Sequence, residues 1–207
     1  MEKEKIVYYE SITDDFTDNE NIKTKVIDDN YKYIHENIFW KFISFITYRC
    51  IMIPIAYLYM KIKFDFKIEN KAVLKEAKSK GAFIYINHTQ TIGDAFIPNV
   101  ISFPKKVYVI VHPNNVSMKF LGKISELSNG LPIPSTSGAA KNFMNAIMKC
   151  IDEKNIVTIY PEAHVWEYYT KIRNYKEESF RYPAKLGAPA YAITTTYRKR
   201  KNKNPRI

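Results

Sequence analysis

The chain has 207 residues, of which 46% are hydrophobic, so it can bury one sizeable core but is too short for two independent domains. Its net charge of +11 indicates a surface that attracts anionic partners, such as nucleic acid, an anionic membrane leaflet or a phosphorylated small molecule. Cys50 and Cys150 lie far apart and give no indication of a disulfide framework or a paired metal site, so we expect a reducing compartment.

The chain begins with an acidic, polar segment at residues 1–36, which contrasts with the basic remainder. This composition is typical of a loosely held lead-in. No charged start is followed by an apolar run and a cleavage site, so no secretory signal is predicted.

An almost continuously apolar segment follows at residues 37–62 and is long enough to cross a bilayer. Lys41 and Arg49 make a simple crossing costly, and Pro54 predicts a kink or break. We therefore predict two short helices that lie in the membrane interface, with both cations directed at lipid phosphates. The aromatic residues expected at headgroup depth are Trp40, Tyr48, Tyr57 and Tyr59. A buried core hairpin and a single membrane span are the alternatives.

Residues 63–207 alternate between β-rich runs and helical stretches, which predicts an α/β domain with a central, mostly parallel or mixed sheet flanked by helices. The predicted strands are 81–87, 107–111, 131–134, 155–160 and 190–197. A helix is predicted over 137–153, with Ser137 able to cap its start.

Polar clusters follow two of these strands. The first contains His88 and Asp94, and the second contains Glu162 and His164. A carboxylate that holds one nitrogen of a histidine ring leaves the other nitrogen able to accept a proton, so His88 and Asp94 are candidates for a general-base pair. Chance proximity, with Asp94 at a helix start, explains the spacing equally well.

Four blocks of sequence resemble the lysophosphatidic acid and glycerol-phosphate acyltransferases. Residues 87–94 resemble the family's NHxxxxD motif, and residues 120–134 resemble its glycine-bounded block. Residues 160–162 resemble the start of FPEGTRS, and residues 187–192 resemble its apolar, proline-containing strand. The apolar segment also precedes the domain where this family carries membrane-docking helices.

The resemblance implies that a fatty acyl group passes from acyl-CoA or acyl-carrier protein to a lysophospholipid hydroxyl in phospholipid synthesis. His88 would be the general base and Asp94 its partner. Neither a metal nor a cofactor is expected. The expected partners are an anionic membrane surface at the cytoplasmic face, the acyl donor and the acceptor, without nucleic acid. The residues expected to bind substrate are Gly130, Pro161, Glu162, His164, Arg173 and Arg181.

The chain departs from the family pattern in three places. Five residues separate His88 from Asp94 instead of four, so the pair can form only if the turn is rebuilt around Gly93. The second block lacks the arginine that would bind the acceptor phosphate, and the third continues with Ala163 after Glu162. The cations that could replace the arginine are Lys141, Arg173, Arg181 and Lys185.

Two further classes of function stay open at this point. A catalytically inactive lipid-binding protein would retain the fold and tolerate these departures. A nucleic-acid binder rests only on charge and on the basic run at residues 198–201. Family members commonly continue past the fourth block, so we expect a shortened domain whose last strand lies at a sheet edge, ahead of a basic run that breaks the strand.

Overall fold

The fold was analysed in a computed structural model, which describes residues 8–11, 14, 22–175, 177–201 and 203–207. The helices are α1 (Ile38–Phe64), α2 (Ile97–Ser102), α3 (Asn114–Ser117), α4 (Lys119–Leu127), α5 (Ser137–Asp152) and α6 (Arg181–Leu186). Short 3₁₀ turns span Lys71–Lys78, Gly93–Ala95 and Glu177–Phe180. The strands are β1 (Ala82–Ile86), β2 (Val107–Val111), β3 (Gly130–Pro132), β4 (Ile156–Ile159), β5 (Ala190–Ile193), β6 (Arg198–Arg200) and β7 (Lys203–Arg206).

Strands β1 to β5 form a parallel sheet in the order β3-β2-β4-β1-β5, which confirms the predicted α/β class. The central strands β1 and β4 are buried along their whole length. Because the strands are parallel, the loops that follow β1 and β4 leave the sheet side by side at its carboxyl edge. The edge strand β5 confirms the predicted position of the last strand in this sheet.

Two hydrophobic layers cover the sheet. On one face, α1 and α2 pack with buried residues that include Met60, Phe64 and Ile97 against Ile84 of β1. On the other face, α5 contributes buried side chains that include Phe143 and Ile147, packed against alternate residues of β1, β2 and β4. The two layers follow from the alternation of side chains along a strand.

Helix α1 is one continuous helix rather than the predicted pair of short helices. Its central turns, Ile46–Met52, are π-helical, and the N–H of Ile53 donates to the carbonyl of Tyr48. Pro54 lies where this pattern returns to α-helix, so its missing N–H does not break the helix. Only 17% of the most apolar window of α1 is buried, which excludes a core hairpin. By length and composition alone, this helix could cross a membrane.

Two residues expected at the lipid interface instead hold α1 against the domain. Tyr48 is 3% exposed, and its hydroxyl donates to Oδ1 of Asn99 at 2.7 Å and accepts from the N–H of Val107 at 3.1 Å. Arg49 donates to the carbonyl of Pro104 and stacks on aromatic rings. The predicted roles of Tyr48 and Arg49 were wrong because local composition does not reveal which face of a helix meets the rest of the protein.

Two local predictions near the ends of elements were also wrong. Thr136, not Ser137, caps α5, because its side-chain oxygen accepts from the N–H of Ala139 at 3.1 Å. The last sheet strand ends at Ile193, and the basic run forms an antiparallel hairpin of β6 and β7 instead of breaking the strand.

The predicted lead-in falls partly outside the described residues, at 1–7, 12–13 and 15–21. Its later part, from residue 22, contacts the chain between β3 and α5 and the first turns of α5. Ile27 is fully buried. Its N–H donates to the side-chain hydroxyl of Ser135 at 3.1 Å, and its carbonyl accepts the N–H of Ser135 at 2.9 Å. Asp29 accepts from the hydroxyl of Thr136 at 2.7 Å and lies against Gly138 in the first turn of α5.

Candidate functional site

His88 and Asp94 meet in the loop that follows β1. Nδ1 of His88 lies 2.7 Å from Oδ2 of Asp94, whose side chain is 1% exposed. The same oxygen accepts the backbone N–H groups of Thr89 at 2.8 Å and Gln90 at 2.9 Å. A carboxylate that accepts these two donors also accepts an Nδ1–H from the ring, which leaves Nε2 as the nitrogen that can accept a proton.

The extra residue between His88 and Asp94 is absorbed by a tight turn. The N–H of Asp94 donates to the carbonyl of Gln90, and a 3₁₀ turn begins at Gly93. Gly93 does not adopt a positive φ, so its expected role in the backbone was wrong. A Cβ atom at Gly93 would instead lie 3.0 Å from Cβ of Gln90, so glycine is favoured there for space.

Tyr160 supports the histidine ring from the neighbouring strand. It directly follows β4, and its ring stacks on His88 with centroids 4.4 Å apart. Its hydroxyl donates to the backbone carbonyl of Asp94. Burial, followed by the nearby Asp94 charge, raises the pKa of Tyr160 well above its usual value, so the hydroxyl stays protonated and keeps donating. The sequence did contain a signal for Tyr160, since an aromatic residue stands at a strand end directly before Pro161. Its role was nevertheless not predicted.

Glu162 joins the two loops from beneath the site. Its Oε2 accepts the backbone N–H of His88 at 2.9 Å and a guanidinium N–H of Arg173 at 2.9 Å. Its Oε1 accepts the backbone N–H of Arg173 at 3.1 Å. The side chain is 2% exposed. Both oxygens of Glu162 therefore have partners within the protein. The sequence led us to expect a carboxylate that accepts a substrate hydroxyl, and the structure does not place Glu162 in that way.

Arg173 is buried with Glu162 and bonds the protein through its Nη2 atom. Its side chain is 3% exposed, stacks over Trp166 at 4.6 Å and donates to the carbonyls of His88 and His164. The guanidinium thus neutralises Glu162 and holds the backbone on both sides of the site. It is not positioned as the expected cation for an acceptor phosphate.

A second missed residue, Tyr197, closes the other side of the loop. Its hydroxyl lies 2.7 Å from Oγ1 of Thr89, donates to the Thr89 carbonyl at 3.0 Å and accepts from the side-chain amide of Gln90. Asn87 pairs with the backbone of Thr195, which ties the loop to the chain beyond β5. These partners are about a hundred residues away in sequence, so no local pattern could have identified them.

The remaining candidate residues lie at different distances from His88. Pro161 directly follows Tyr160 and is half-buried, and His164 contributes backbone contacts within the loop after β4. Gly130 begins β3, three strand positions from β1, which is about 14 Å at the usual strand spacing. A Cβ at Gly130 would lie 2.6 Å from Oγ of Ser125, so this glycine serves close packing with α4. Arg181 begins α6 and is exposed.

Comparisons with known proteins agree with this architecture. A family model described as Acyltransferase matches residues 65–196, well over half of the chain. Neither the curated proteins nor the solved structures give a match. The matched region contains β1 to β5 and the whole His88 loop. The chain therefore belongs to the acyltransferase family, that of the lysophospholipid and glycerol-phosphate acyltransferases.

Proposed function

We propose that the protein transfers a fatty acyl group from acyl-CoA or acyl-carrier protein to the hydroxyl of a lysophospholipid, such as 1-acylglycerol-3-phosphate, in phospholipid synthesis. The observation that carries this proposal is the 2.7 Å contact between Nδ1 of His88 and a buried Asp94 whose other partners are backbone N–H groups. Membership of the acyltransferase family supports the reaction class.

In the proposed reaction, Nε2 of His88 takes the proton of the acceptor hydroxyl as its oxygen attacks the thioester carbonyl carbon. The new C–O bond forms, the C–S bond breaks, and the proton then passes to the leaving thiolate. Asp94 stabilises the imidazolium, and Tyr160 fixes the plane of the ring by stacking. His88 and Asp94 are the catalytic residues of this scheme, while Glu162 and Arg173 position the His88 backbone.

The same proposal places the protein on the cytoplasmic face of a membrane, as a peripheral or monotopic enzyme. Helix α1 exposes large apolar side chains, including Phe39, Phe42 and Leu58. Its carboxyl half packs in the same hydrophobic cluster as α2, the helix that follows the His88 loop. A lipid acceptor could therefore enter the site from the surface on which α1 docks.

Acceptor recognition needs a cation other than Arg173, because that guanidinium is paired with Glu162. The other predicted cations, Lys141, Arg181 and Lys185, are exposed. We propose that the headgroup is bound by exposed cations and that Pro161 and His164 contribute to the wall of the acceptor site. The proposed function does not involve nucleic acid.

The test is an acyl-transfer assay with liposomes, acyl-CoA or acyl-carrier protein, and a panel of lysophospholipids. We expect His88→Ala to lower kcat about 10³-fold, since the general base is removed, and Asp94→Asn to lower it strongly because the ring loses its orienting carboxylate. Lys80→Ala, at an exposed position ahead of β1 and therefore at the amino edge of the sheet, is the control and should match the wild type. Transfer that is indifferent to His88→Ala would contradict the mechanism.

A catalytically inactive lipid-binding protein is the second candidate. It is favoured by the burial of the Glu162–Arg173 ion pair, whose side chains are 2% and 3% exposed, because an acceptor does not reach either group from solvent. In that case no acceptor of the panel would be acylated, while lysophospholipid would still bind and His88→Ala would not change its affinity.

A further inference from the structure

The hairpin of β6 and β7 is strongly basic and lies outside the region matched by the family model. Six of the nine residues from 198 to 206 are Lys or Arg, and none is acidic. The two strands pair antiparallel, with Arg198 opposite Arg206 and Arg200 opposite Lys203. Like charges that face each other across two strands destabilise a hairpin, so this arrangement needs anionic partners.

Part of that charge is neutralised within the protein, and the contacts fix the hairpin to the end of α1. Asp65, the residue after α1, forms ion pairs with Arg200 at 4.0 Å and with Arg206. Arg200 also donates to the carbonyl of Lys63 at 3.1 Å, and the N–H of Ile207 donates to the carbonyl of Phe64 at 3.2 Å. These contacts therefore fix the hairpin to the carboxyl end of α1.

The remaining charge faces solvent. Lys199, Lys201 and Lys203 are exposed, and none of the three has a carboxylate partner among the residues that the structure describes. Lys67 adds one more exposed cation next to the same helix end, where the exposed Lys61 pairs with Asp65 at 3.3 Å. A concentrated set of lysines on a fixed support attracts a surface that carries many negative charges.

An apolar stripe on α1 leads to this basic hairpin. Ile51, Ile55, Leu58 and Ile62 follow one another at helical spacing and are between 46% and 79% exposed. Ile62, the most exposed of them, is three residues from Asp65, about 4.5 Å along the helix axis. Apolar side chains beside cations match the acyl and headgroup layers of a bilayer, whereas a nucleic acid would use only the cations.

We infer that the β6-β7 hairpin and the apolar stripe of α1 form one docking surface for an anionic lipid bilayer. The stripe enters the acyl layer, and Lys199, Lys201 and Lys203 contact lipid phosphates. Stable peripheral anchoring usually needs two such contributions, and this surface supplies both. The inference rests on the membrane location in the proposed function, but it concerns binding and not turnover.

The experiment measures binding of the full chain to liposomes of neutral phosphatidylcholine, with and without about 30% of the anionic lipid phosphatidylserine. The test variant is Lys199→Gln/Lys201→Gln/Lys203→Gln. The matched control, Lys32→Gln/Lys80→Gln/Lys154→Gln, removes the same charge from exposed sites away from the hairpin, two of them at the amino edge of the sheet. Melting temperatures establish that both variants fold.

Each lysine near an anionic surface contributes about fivefold in affinity, so the test variant should lose roughly 100-fold on anionic liposomes and little on neutral ones. The control should lose clearly less, and Leu58→Ser/Ile62→Ser should weaken binding to both. His88→Ala should bind like the wild type, which separates this result from failure of the catalytic proposal. Equal losses in the two charge variants, or binding to duplex DNA without any preference for anionic liposomes, would overturn the inference.

Discussion

At the residue scale, the site depends on a carboxylate that accepts several donors and on a buried ion pair. Asp94 gathers the His88 ring and two backbone N–H groups on one oxygen. Glu162 and Arg173 form a 2.9 Å pair below the same loop. We expect loss of one partner to lower kcat in the first arrangement and the free energy of unfolding in the second, so mutations distinguish the two.

For the buried pair, we expect Arg173→Met to lower the free energy of unfolding by about 3–5 kcal/mol, because Glu162 would be left buried without its cation. The double variant Glu162→Gln/Arg173→Met should lose clearly less, since no isolated charge remains. Urea unfolding of both variants and the wild type measures the difference. A double variant that is as unstable as the single one would show that the charge of Glu162 is not responsible.

The two cysteines should differ in reactivity. Cys50 is exposed and Cys150 is buried, and burial raises the pKa of Cys150 to about 12. At pH 8 we expect a maleimide to modify Cys150→Ser protein, through Cys50, about 10³-fold faster than Cys50→Ser protein. Equal rates would contradict the burial of Cys150.

The same pKa shift has a consequence for stability. The Cys150 thiol ionises near pH 9.0 in the unfolded chain but near 12 in the folded protein. Its contribution is therefore complete below pH 9 and is lost as the pH rises toward 12, because only the unfolded chain releases the proton in that range.

At the scale of elements, α1 shows which properties of a helix can be predicted from its composition. The apolar run predicted a helical segment with an exposed apolar surface, which the 17% burial of its most apolar window supports. Its continuity through Pro54 was not predictable, because it depends on the π-helical turns of Ile46–Met52. The orientation of Tyr48 depends on Asn99, fifty-one positions away.

We expect Tyr48→Phe to reduce the free energy of unfolding by about 1–3 kcal/mol, because Oδ1 of the buried Asn99 would lose its donor. Tyr57→Phe is the matched control, since Tyr57 is 51% exposed, and its effect should stay within about 0.5 kcal/mol. Chemical denaturation followed by circular dichroism measures both. If the two variants were equally stable, the hydroxyl of Tyr48 would not hold α1 against the domain.

At the scale of the whole molecule, the chain ahead of the family domain is part of the core. Ile27 is fully buried and bonded to Ser135, three residues after β3, whereas its neighbour Val26 is 70% exposed. We expect Ile27→Ala to cost about 2–4 kcal/mol, and Val26→Ala less than about 0.5 kcal/mol. Thermal and urea unfolding provide the comparison. A small effect of Ile27→Ala would mean that this segment packs only loosely on the domain.

The sequence by itself determined the α/β class, the positions of the central strands and the likeness of the His88 loop to an acyltransferase motif. These features are local, because side-chain periodicity and short motifs are written in consecutive residues. The roles of Tyr160, Arg173 and Tyr197, the anchoring of Ile27 and the union of the basic hairpin with the end of α1 were decided only by tertiary structure. Each of them depends on a contact between residues that are distant along the chain, and the spacing of residues in a sequence carries no record of such contacts.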